Sequence, residues 1–242
     1  MLKVADIRAL LAKRYEMEDF VIDKTGVKMV EVIGESFYAD EPTIFCKPNK
    51  HYIERELQWY KSMSRFVDDI PGGAPEIWKQ VADKNGKINS NYGWCIYSSE
   101  NGDQYENCII ELKRNPFSRR AEMIYTRPTM HKDYNEFGRS DFICTDSVSY
   151  FIRDGFLHGH VKMRSNDAWA GYRNDFAWQK FVLDELSKEL GVPPGKIIWS
   201  ASSLHLYERQ FYLLDYYLEC GEYMLTKSEI DQKKFAKLES EM

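Results

Sequence analysis

Residues 141–165, DFICTDSVSYFIRDGFLHGHVKMRS, decide the fold. Two runs within this stretch, residues 141–153 and 156–164, are rich in Val, Ile, Tyr and Phe, which is typical of β-strands. The dipeptide between them, Asp154-Gly155, is typical of a two-residue hairpin turn. The stretch therefore predicts an antiparallel hairpin.

The rest of the chain predicts helices and further strands in one domain. Amphipathic periodicity indicates helices, and apolar runs bounded by Gly, Pro or Asp indicate strands. Because the two types mix without strict alternation, we expect an α/β (α+β) fold with a mixed sheet flanked by helices. No repeat or linker marks a boundary, so we expect a single domain over residues 1–242. The predicted helices are 4–14, 49–63, 103–114 and 172–190, the other strands are 27–38, 119–127 and 196–206, and the charged end 228–242 is expected to be a surface helix or a frayed terminus.

The composition argues against several classes of function. The 33 Lys+Arg and 38 Asp+Glu give a net charge of −5, whereas binding to a nucleic-acid backbone needs a positive face, so we expect no direct nucleic-acid partner. No run approaches the roughly 18 apolar residues of a membrane-spanning helix, and the acidic start does not fit a signal peptide. We therefore expect a cytoplasmic protein without a membrane partner. The 5 cysteines have no CxxC spacing, which indicates reduced thiols.

Cys144 and several arginines are candidates for a chemical function. Arg164 follows Cys144 in the partner strand of the predicted hairpin, and a guanidinium near a thiol favours the nucleophilic thiolate. The alternative is a buried strand cysteine that packs as a small hydrophobe, and the local sequence by itself favours it. Arg119, Arg120, Arg164 and Arg173 could hold a phosphate, because arginine offers bidentate donors. For each of them the alternative is a solvated surface charge.

Three other ionisable residues give weaker signals. Glu56 lies on a predicted helix, and considered by itself it is interpreted as an exposed helix carboxylate. His158 and His160 would share one face of a strand, but no third ligand has a suitable spacing. We therefore expect no metal.

The order of several motifs resembles that of the thymidylate synthase superfamily. The motifs are the Arg119-Arg120 pair, Cys144, the segment 163–175 (MRSNDAWAGYRND) and the segment 205–207 (HLY). Within the superfamily the chain most resembles the bacteriophage deoxycytidylate 5-hydroxymethyltransferase branch, over most of its length. The resemblance implies a homodimer that forms by packing two sheets back to back, so we expect outward strand residues to be apolar.

The resemblance also implies the residues of the reaction and of folate binding. Cys144 matches the cysteine that attacks C6 of the pyrimidine, Glu56 matches the helix glutamate that relays protons through water, and Tyr92 matches the tyrosine near the reacting base. Trp78 matches the tryptophan that faces the folate, and Asp167 matches the aspartate that contacts the pterin. The implied co-substrate is 5,10-methylenetetrahydrofolate.

A further set of residues would bind the nucleotide monophosphate. The Arg-Ser dipeptide that holds the phosphate in the family is matched by Arg164-Ser165, and an Arg-Arg pair that reaches the phosphate site of the partner subunit is matched by Arg119-Arg120. The residues that hold the sugar 3′-hydroxyl are matched by His205 and Tyr207.

Four departures from the synthase pattern point to the branch. Lys24 stands in the early phosphate loop where synthases usually have arginine, and Thr145 follows the nucleophile where they generally have histidine. Met163 precedes the Arg-Ser dipeptide in place of glutamine, and Asp175 occupies the position of the asparagine that recognises uracil.

Asp175 is the departure with a chemical consequence. Uracil presents O4 as an acceptor, whereas cytosine presents a 4-amino donor and an unprotonated N3. An ionised carboxylate only accepts hydrogen bonds, so it repels O4 and binds the amino group. It can also support protonation of N3 as charge develops on the ring. The alternative is that Asp175 only caps the following helix.

The function implied by the resemblance is that of a deoxycytidylate 5-hydroxymethyltransferase. Such an enzyme converts dCMP, 5,10-methylenetetrahydrofolate and water to 5-hydroxymethyl-dCMP and tetrahydrofolate, and a phage-encoded chain would do so in the host cytoplasm. One alternative is a dCMP or dUMP C5-methylase that produces dihydrofolate, and another is an inactive nucleotide-binding protein of the same fold. The charged C-terminal segment favours hydration, because the synthases close an apolar segment over the folate.

Overall fold

The computed structural model describes residues 1–241, which form two compact units. The first unit comprises residues 1–48, residues 165–177 and the described chain from residue 201 onward. The second unit comprises residues 49–164 and 178–200. The predicted mixed sheet with accompanying helices is confirmed.

Each predicted helix and strand has a counterpart in the structure. Within residues 1–241, no helix is both long enough and apolar enough to cross a membrane. The strands are β1 (Leu2–Lys3), β2 (Val21–Ile22), β3 (Lys28–Tyr38), β4 (Glu122–Ile124), β5 (Thr145–Arg153), β6 (Phe156–Met163), β7 (Asn166–Asp167) and β8 (Pro194–Tyr207). The α-helices are α1 (Val4–Glu16), α2 (Lys50–Ser62), α3 (Glu76–Val81), α4 (Tyr92–Tyr97), α5 (Gln104–Arg114), α6 (Met130–Asp133), α7 (Ala170–Leu190), α8 (Phe211–Cys220) and α9 (Lys227–Glu241). Of these elements, β1, β2, β7, α3, α4, α6 and α8 were not predicted.

The first unit combines parallel and antiparallel strand pairs. Its strand order is β1-β3-β8, with β1 parallel to β3 and β2 antiparallel to β3. The short strand β7 is parallel to β8, in register with Leu204 and His205. The helix α1 packs on β3 and buries Ile7 and Leu11, whose spacing of four residues places them on one face. The predicted charged end is helical as α9, and Met242 lies outside the described residues.

The second unit is built around the predicted hairpin. Its strand order is β8-β6-β5-β4, with β5 antiparallel to both β4 and β6. Asp154 and Gly155 join β5 to β6 with φ angles of 51° and 79°. Two positive φ angles are those of a type I′ turn, whose twist suits adjacent antiparallel strands. The hairpin prediction is therefore confirmed.

Two predicted strands are shorter than expected. The strand predicted over residues 119–127 is reduced to β4, and the strand predicted from residue 141 begins at Thr145. The carbonyl groups of Phe142 and Ile143 accept hydrogen bonds from the Arg164 side chain instead of from a neighbouring strand. Cys144 is therefore in the bend before β5 rather than within it, and Arg164 follows β6 directly.

The outward face of the hairpin is polar. Val148 and Val161 are buried on one face, while Ser147 pairs with Lys162 and Ser149 with His160 on the other. Glu122 of β4 accepts hydrogen bonds from Ser147 Oγ (2.8 Å) and Lys162 Nζ (3.0 Å). The expectation of apolar outward strand residues is therefore wrong for this part of the sheet.

Aromatic packing joins the helices of the second unit. Tyr60 of α2 stacks on Tyr92 of α4 with ring centroids 5.2 Å apart, and both rings contact Trp178. A Cβ atom at Gly93 would lie 1.8 Å from the carbonyl oxygen of Tyr60. Only glycine therefore permits this approach of α4 to α2.

Candidate active site

The predicted nucleophile lies beside a fixed guanidinium. Cys144 is partly exposed, and Nη2 of Arg164 lies 3.7 Å from its Sγ atom. Arg164 donates from Nε to the Ile143 carbonyl (2.9 Å) and from Nη2 to the Phe142 carbonyl (2.6 Å). A cation held at this distance favours the thiolate. The alternative of a buried strand cysteine is wrong, because Cys144 is neither buried nor within a strand.

A buried carboxylate that the sequence analysis did not identify holds the loop before the nucleophile. Asp141 accepts hydrogen bonds from the backbone N–H of Asn89 (2.6 Å), the backbone N–H of Ser90 (2.8 Å) and the Ser90 hydroxyl (2.6 Å). Burial raises the pKa of Asp141. These bonds tie the Cys144 loop to the segment that precedes Tyr92. No local pattern indicates such a tertiary contact, because Asp141 and Ser90 are far apart in the sequence.

Tyr92 is buried at the first position of α4. Asn91 caps this helix, because its Oδ1 atom accepts from the Trp94 backbone N–H (2.8 Å). The Asn91 side chain also donates to the carbonyl groups of Trp59 (3.0 Å) and Ser64 (2.7 Å). Together with the stacking of Tyr60, these contacts fix the position of the tyrosine ring.

Glu56 belongs to a buried chain of hydrogen bonds. It is 5% exposed, so the interpretation as an exposed helix carboxylate is wrong. The Tyr52 hydroxyl donates to Glu56 Oε1 (2.5 Å) and accepts from the Trp78 indole N–H (2.8 Å). Burial raises the pKa of Glu56 to about 7, against the opposing effect of the Tyr52 hydrogen bond. A carboxyl group with this pKa can both release and accept a proton near neutral pH.

In the first unit, Asp175 is oriented by a side chain that the sequence analysis did not identify. Nδ2 of Asn166 donates to Oδ2 of Asp175 (2.8 Å). Asp175 lies in the second turn of α7, so it is not the cap of this helix. The carboxylate that contacts the start of the helix is that of Asp167, which accepts from the backbone N–H groups of Trp169 and Ala170 (3.1 Å each). Asn166 lies between Ser165 and Asp167, which the family resemblance identified, and this position is the sequence signal that could have pointed to Asn166.

The two predicted sugar-binding residues are neighbours at the end of β8. The rings of His205 and Tyr207 are 4.9 Å apart in an edge-to-face arrangement. His205 is buried, and Nδ1 contacts Ser203 Oγ (3.1 Å), which in turn donates to Glu31. Burial lowers the pKa of His205 and so favours the neutral ring.

The remaining predicted phosphate ligands are at the surface. Lys24 is exposed in the turn between β2 and β3, which Asp23 stabilises through the backbone N–H of Val27 (2.9 Å). Arg119 and Arg120 are exposed before β4, and Arg120 forms an ion pair with Glu111 (3.0 Å).

The predicted residues therefore form groups within each unit. In the second unit Cys144 lies with Arg164, and Glu56 is connected through Tyr52 to Trp78. In the first unit Asp175 is bonded to Asn166, the neighbour of both Ser165 and Asp167, and the remaining pair is His205 with Tyr207.

Comparison with known proteins gives a consistent assignment over most of the chain. The sequence model of the family described as "Thymidylate synthase" matches residues 15–241. Deoxycytidylate 5-hydroxymethyltransferase of Enterobacteria phage T4 is 53% identical over 233 residues, which cover 93% of this chain and 95% of that protein. The protein of the same description from Enterobacteria phage T6 is 54% identical over the same shares. Thymidylate synthase of Coxiella burnetii is 26% identical over 199 residues, or 76% of this chain and 72% of that protein.

The raised pKa of Glu56 predicts a pH-dependent stability difference between the wild type and Glu56→Gln. Ionising this buried group costs the folded state free energy, so the stability of the wild type falls as the pH rises from the unfolded value of 4.5 through about 7. Glutamine does not ionise. In urea unfolding, the stability of Glu56→Gln relative to the wild type should increase by roughly 2.5 kcal/mol between pH 5 and pH 8.

The exposed neighbour on the same helix provides the control. Glu54→Gln removes the same charge from α2, and its stability relative to the wild type should not change over this pH range. If the free energies of unfolding of the wild type and Glu56→Gln changed in parallel with pH, the pKa of Glu56 would not be raised.

Proposed function

The chain belongs to the thymidylate synthase family, and we propose that it transfers a hydroxymethyl group to C5 of deoxycytidylate. The names of the phage relatives and their identity over nearly the full chain support this reaction. Within the chain, the observation that supports cytosine as the base is the carboxylate of Asp175, which accepts a hydrogen bond from Asn166. The reaction combines dCMP, 5,10-methylenetetrahydrofolate and water, and it yields 5-hydroxymethyl-dCMP and tetrahydrofolate.

Covalent activation of the ring by Cys144 is the first step of the proposed mechanism. The thiolate, favoured by Arg164, adds to C6 of cytosine and makes C5 nucleophilic. Asp175 accepts a hydrogen bond from the 4-amino group and supports the proton that N3 gains. Both effects increase as electron density moves into the ring, so they stabilise the transition state more than bound dCMP.

Glu56 and Tyr92 take part in proton transfer at C5. The pKa of about 7 allows Glu56 to take the C5 proton through an ordered water, and Tyr92 orients this water. This proton is lost after C5 has formed a bond to the one-carbon unit of the folate, so that tetrahydrofolate leaves and an exocyclic methylene group remains on C5. Water then adds to this methylene group, and the bond between Sγ and C6 breaks to release Cys144 as the thiolate. The hydrogen bond from Tyr52 keeps the carboxyl group oriented during these transfers.

The residues near Glu56 and Asp175 suit a folate. Trp78 is partly exposed, so it offers a stacking surface, and Asp167 is a partly exposed carboxylate suited to the N–H groups of a pterin. We propose that these two residues hold 5,10-methylenetetrahydrofolate, which supplies the one-carbon unit. Arg164, Ser165 and Lys24 would bind the nucleotide phosphate, and His205 with Tyr207 would bind the 3′-hydroxyl.

A homodimer completes the proposed phosphate site. Arg119 and Arg120 are exposed, so a partner subunit can reach both guanidinium groups, and Arg120 would exchange its ion pair with Glu111 for the phosphate of the partner site. The polar outward face of the hairpin would then be an interface in which Ser149, His160 and Lys162 contribute hydrogen bonds rather than apolar contacts.

Product analysis tests the reaction directly. With dCMP, CMP and dUMP offered separately, mass spectrometry should detect a hydroxymethyl product from dCMP, and dihydrofolate absorbance should stay constant. Cys144→Ser should abolish turnover and leave dCMP binding near the wild-type value, because it removes nucleophilicity rather than contact area. Cys220→Ser, a change at an exposed cysteine, should be fully active. Accumulation of dihydrofolate would identify a methylase, and turnover by Cys144→Ser would refute the covalent step.

Asp175→Asn tests the recognition of the base. The amide has a donor for O4 of uracil, so the ratio of kcat/KM for dCMP over dUMP should fall by about ten-fold or more. Asp184→Asn makes the same change at a half-exposed position on the same helix and should keep the wild-type ratio. An unchanged ratio in Asp175→Asn would show that other residues choose the base.

Complementation tests the shared site. Cys144→Ser and Arg120→Ala should each be inactive as homodimers, whereas a mixture should regain part of the activity. A hybrid dimer has one site in which both the cysteine and the arginine are intact. After refolding of the mixed subunits, activity at the level of the separate variants would count against the contribution of Arg120 in the partner site.

A further inference from the structure

A charged cavity in the second unit takes no part in the proposed reaction. Its volume is about 390 Å³, and its walls include the side chains of four cations, Arg65, Lys87, Arg127 and Arg139.

Three of these cations converge on one neutral oxygen. Oδ1 of the fully buried Asn89 accepts hydrogen bonds from Arg65 Nη2 (2.6 Å), Arg127 Nη2 (3.2 Å) and Arg139 Nη1 (3.2 Å). An amide oxygen has two lone pairs, so three charged donors exceed what it can accept. The cavity therefore has more hydrogen-bond donors than acceptors around this point.

The acidic residues of the cavity form ion pairs with two of its four cations. Arg127 forms an ion pair with Asp133 (2.8 Å), and Arg139 forms one with Asp83 (2.9 Å). For Arg65, no carboxylate of the described residues lies within the 4.0 Å of an ion pair.

The hydrogen-bond acceptors of Arg65 are neutral, and its other close contact is with an aromatic ring. Its Nε atom donates to the Ile88 carbonyl (3.0 Å), and its guanidinium lies 4.1 Å from the centre of the Trp94 ring. Burial, followed by repulsion from Arg127 and Arg139, lowers the pKa of Arg65. The remaining wall charges, on Lys87 and Glu136, are opposite in sign. The walls of the cavity thus carry four positive and three negative charges, a net charge of +1.

We propose that this cavity binds a small oxyanion, either a phosphate or a carboxylate group. Within the described chain, the Nη1 atoms of Arg65 and Arg127 make no hydrogen bond, so each can donate to an entering oxygen. A pair of oxygen atoms on one phosphorus or carbon matches the planar fork of arginine. The bound anion supplies both the missing acceptor atoms and the missing negative charge.

The position of Asn89 connects this cavity to the nucleophile loop. The backbone N–H of Asn89 donates to Asp141, which precedes Cys144 by three residues. An anion that relieves the repulsion around the Asn89 side chain therefore stabilises the segment that anchors this loop.

Arginine side-chain NMR tests the proposal on the full chain. The Nε–H resonance of Arg65, assigned by its absence in Arg65→Gln, is followed while inorganic phosphate or acetate is added at constant ionic strength, with sodium chloride as the reference. A saturable shift with phosphate alone identifies a phosphate site, and a saturable shift with acetate identifies a carboxylate site. Shifts no larger than those with chloride for both anions would overturn the proposal.

Variants separate this cavity from the nucleotide site, which also attracts phosphate. When binding is followed through the Nε–H resonance of Arg127, Arg65→Gln should weaken the affinity at least about ten-fold, because one charge-assisted contact is lost. Arg114→Gln removes the same charge from an exposed position and should change the affinity less than about two-fold. If Arg65→Gln does not fold, Arg127→Gln should cause a similar loss, followed through Arg65. Wild-type affinity in either cavity variant would overturn the proposal.

Discussion

The contact of the Arg164 guanidinium with the loop before β5 organises the second unit. One side chain occupies the carbonyl groups of Phe142 and Ile143 and lies beside the Cys144 thiol. The same bonds that end the strand therefore place the cation at the sulfur. One guanidinium is therefore shared between the end of the strand and the proposed nucleophile.

A second constraint is burial, which sets the protonation states of ionisable side chains in the candidate site. Burial favours a protonated Glu56 and a neutral His205, so both groups are held in forms that exchange or donate protons rather than carry fixed charge. In the proposed reaction, Arg164 and Asp175 would supply charges where the substrate is charged or becomes polarised. This division between neutral proton carriers and fixed charges matches a reaction in which a ring gains electron density and then loses it.

Local sequence patterns predicted the positions of helices and strands better than they predicted the contacts of the side chains. The hairpin was predictable because alternation and the Asp154-Gly155 turn are encoded in adjacent residues. The burial of Glu56, by contrast, comes from Tyr52 and Trp78, and the anchoring of the nucleophile loop comes from Asp141. Such contacts join distant segments, so helix periodicity could not reveal them. The family resemblance identified the candidate residues but not their partners, such as Asn166.

The close approach at Gly93 limits where substrate range can evolve or be engineered. Since a Cβ atom at position 93 would collide with the Tyr60 carbonyl, glycine is required for the approach of α4, which carries Tyr92, to α2, which carries Glu56. A library that randomises position 93 would lose this close approach in every variant other than glycine. Diversification aimed at a different base is better concentrated at positions 166 and 175, where the buried amide of β7 donates to the part-exposed carboxylate in the second turn of α7.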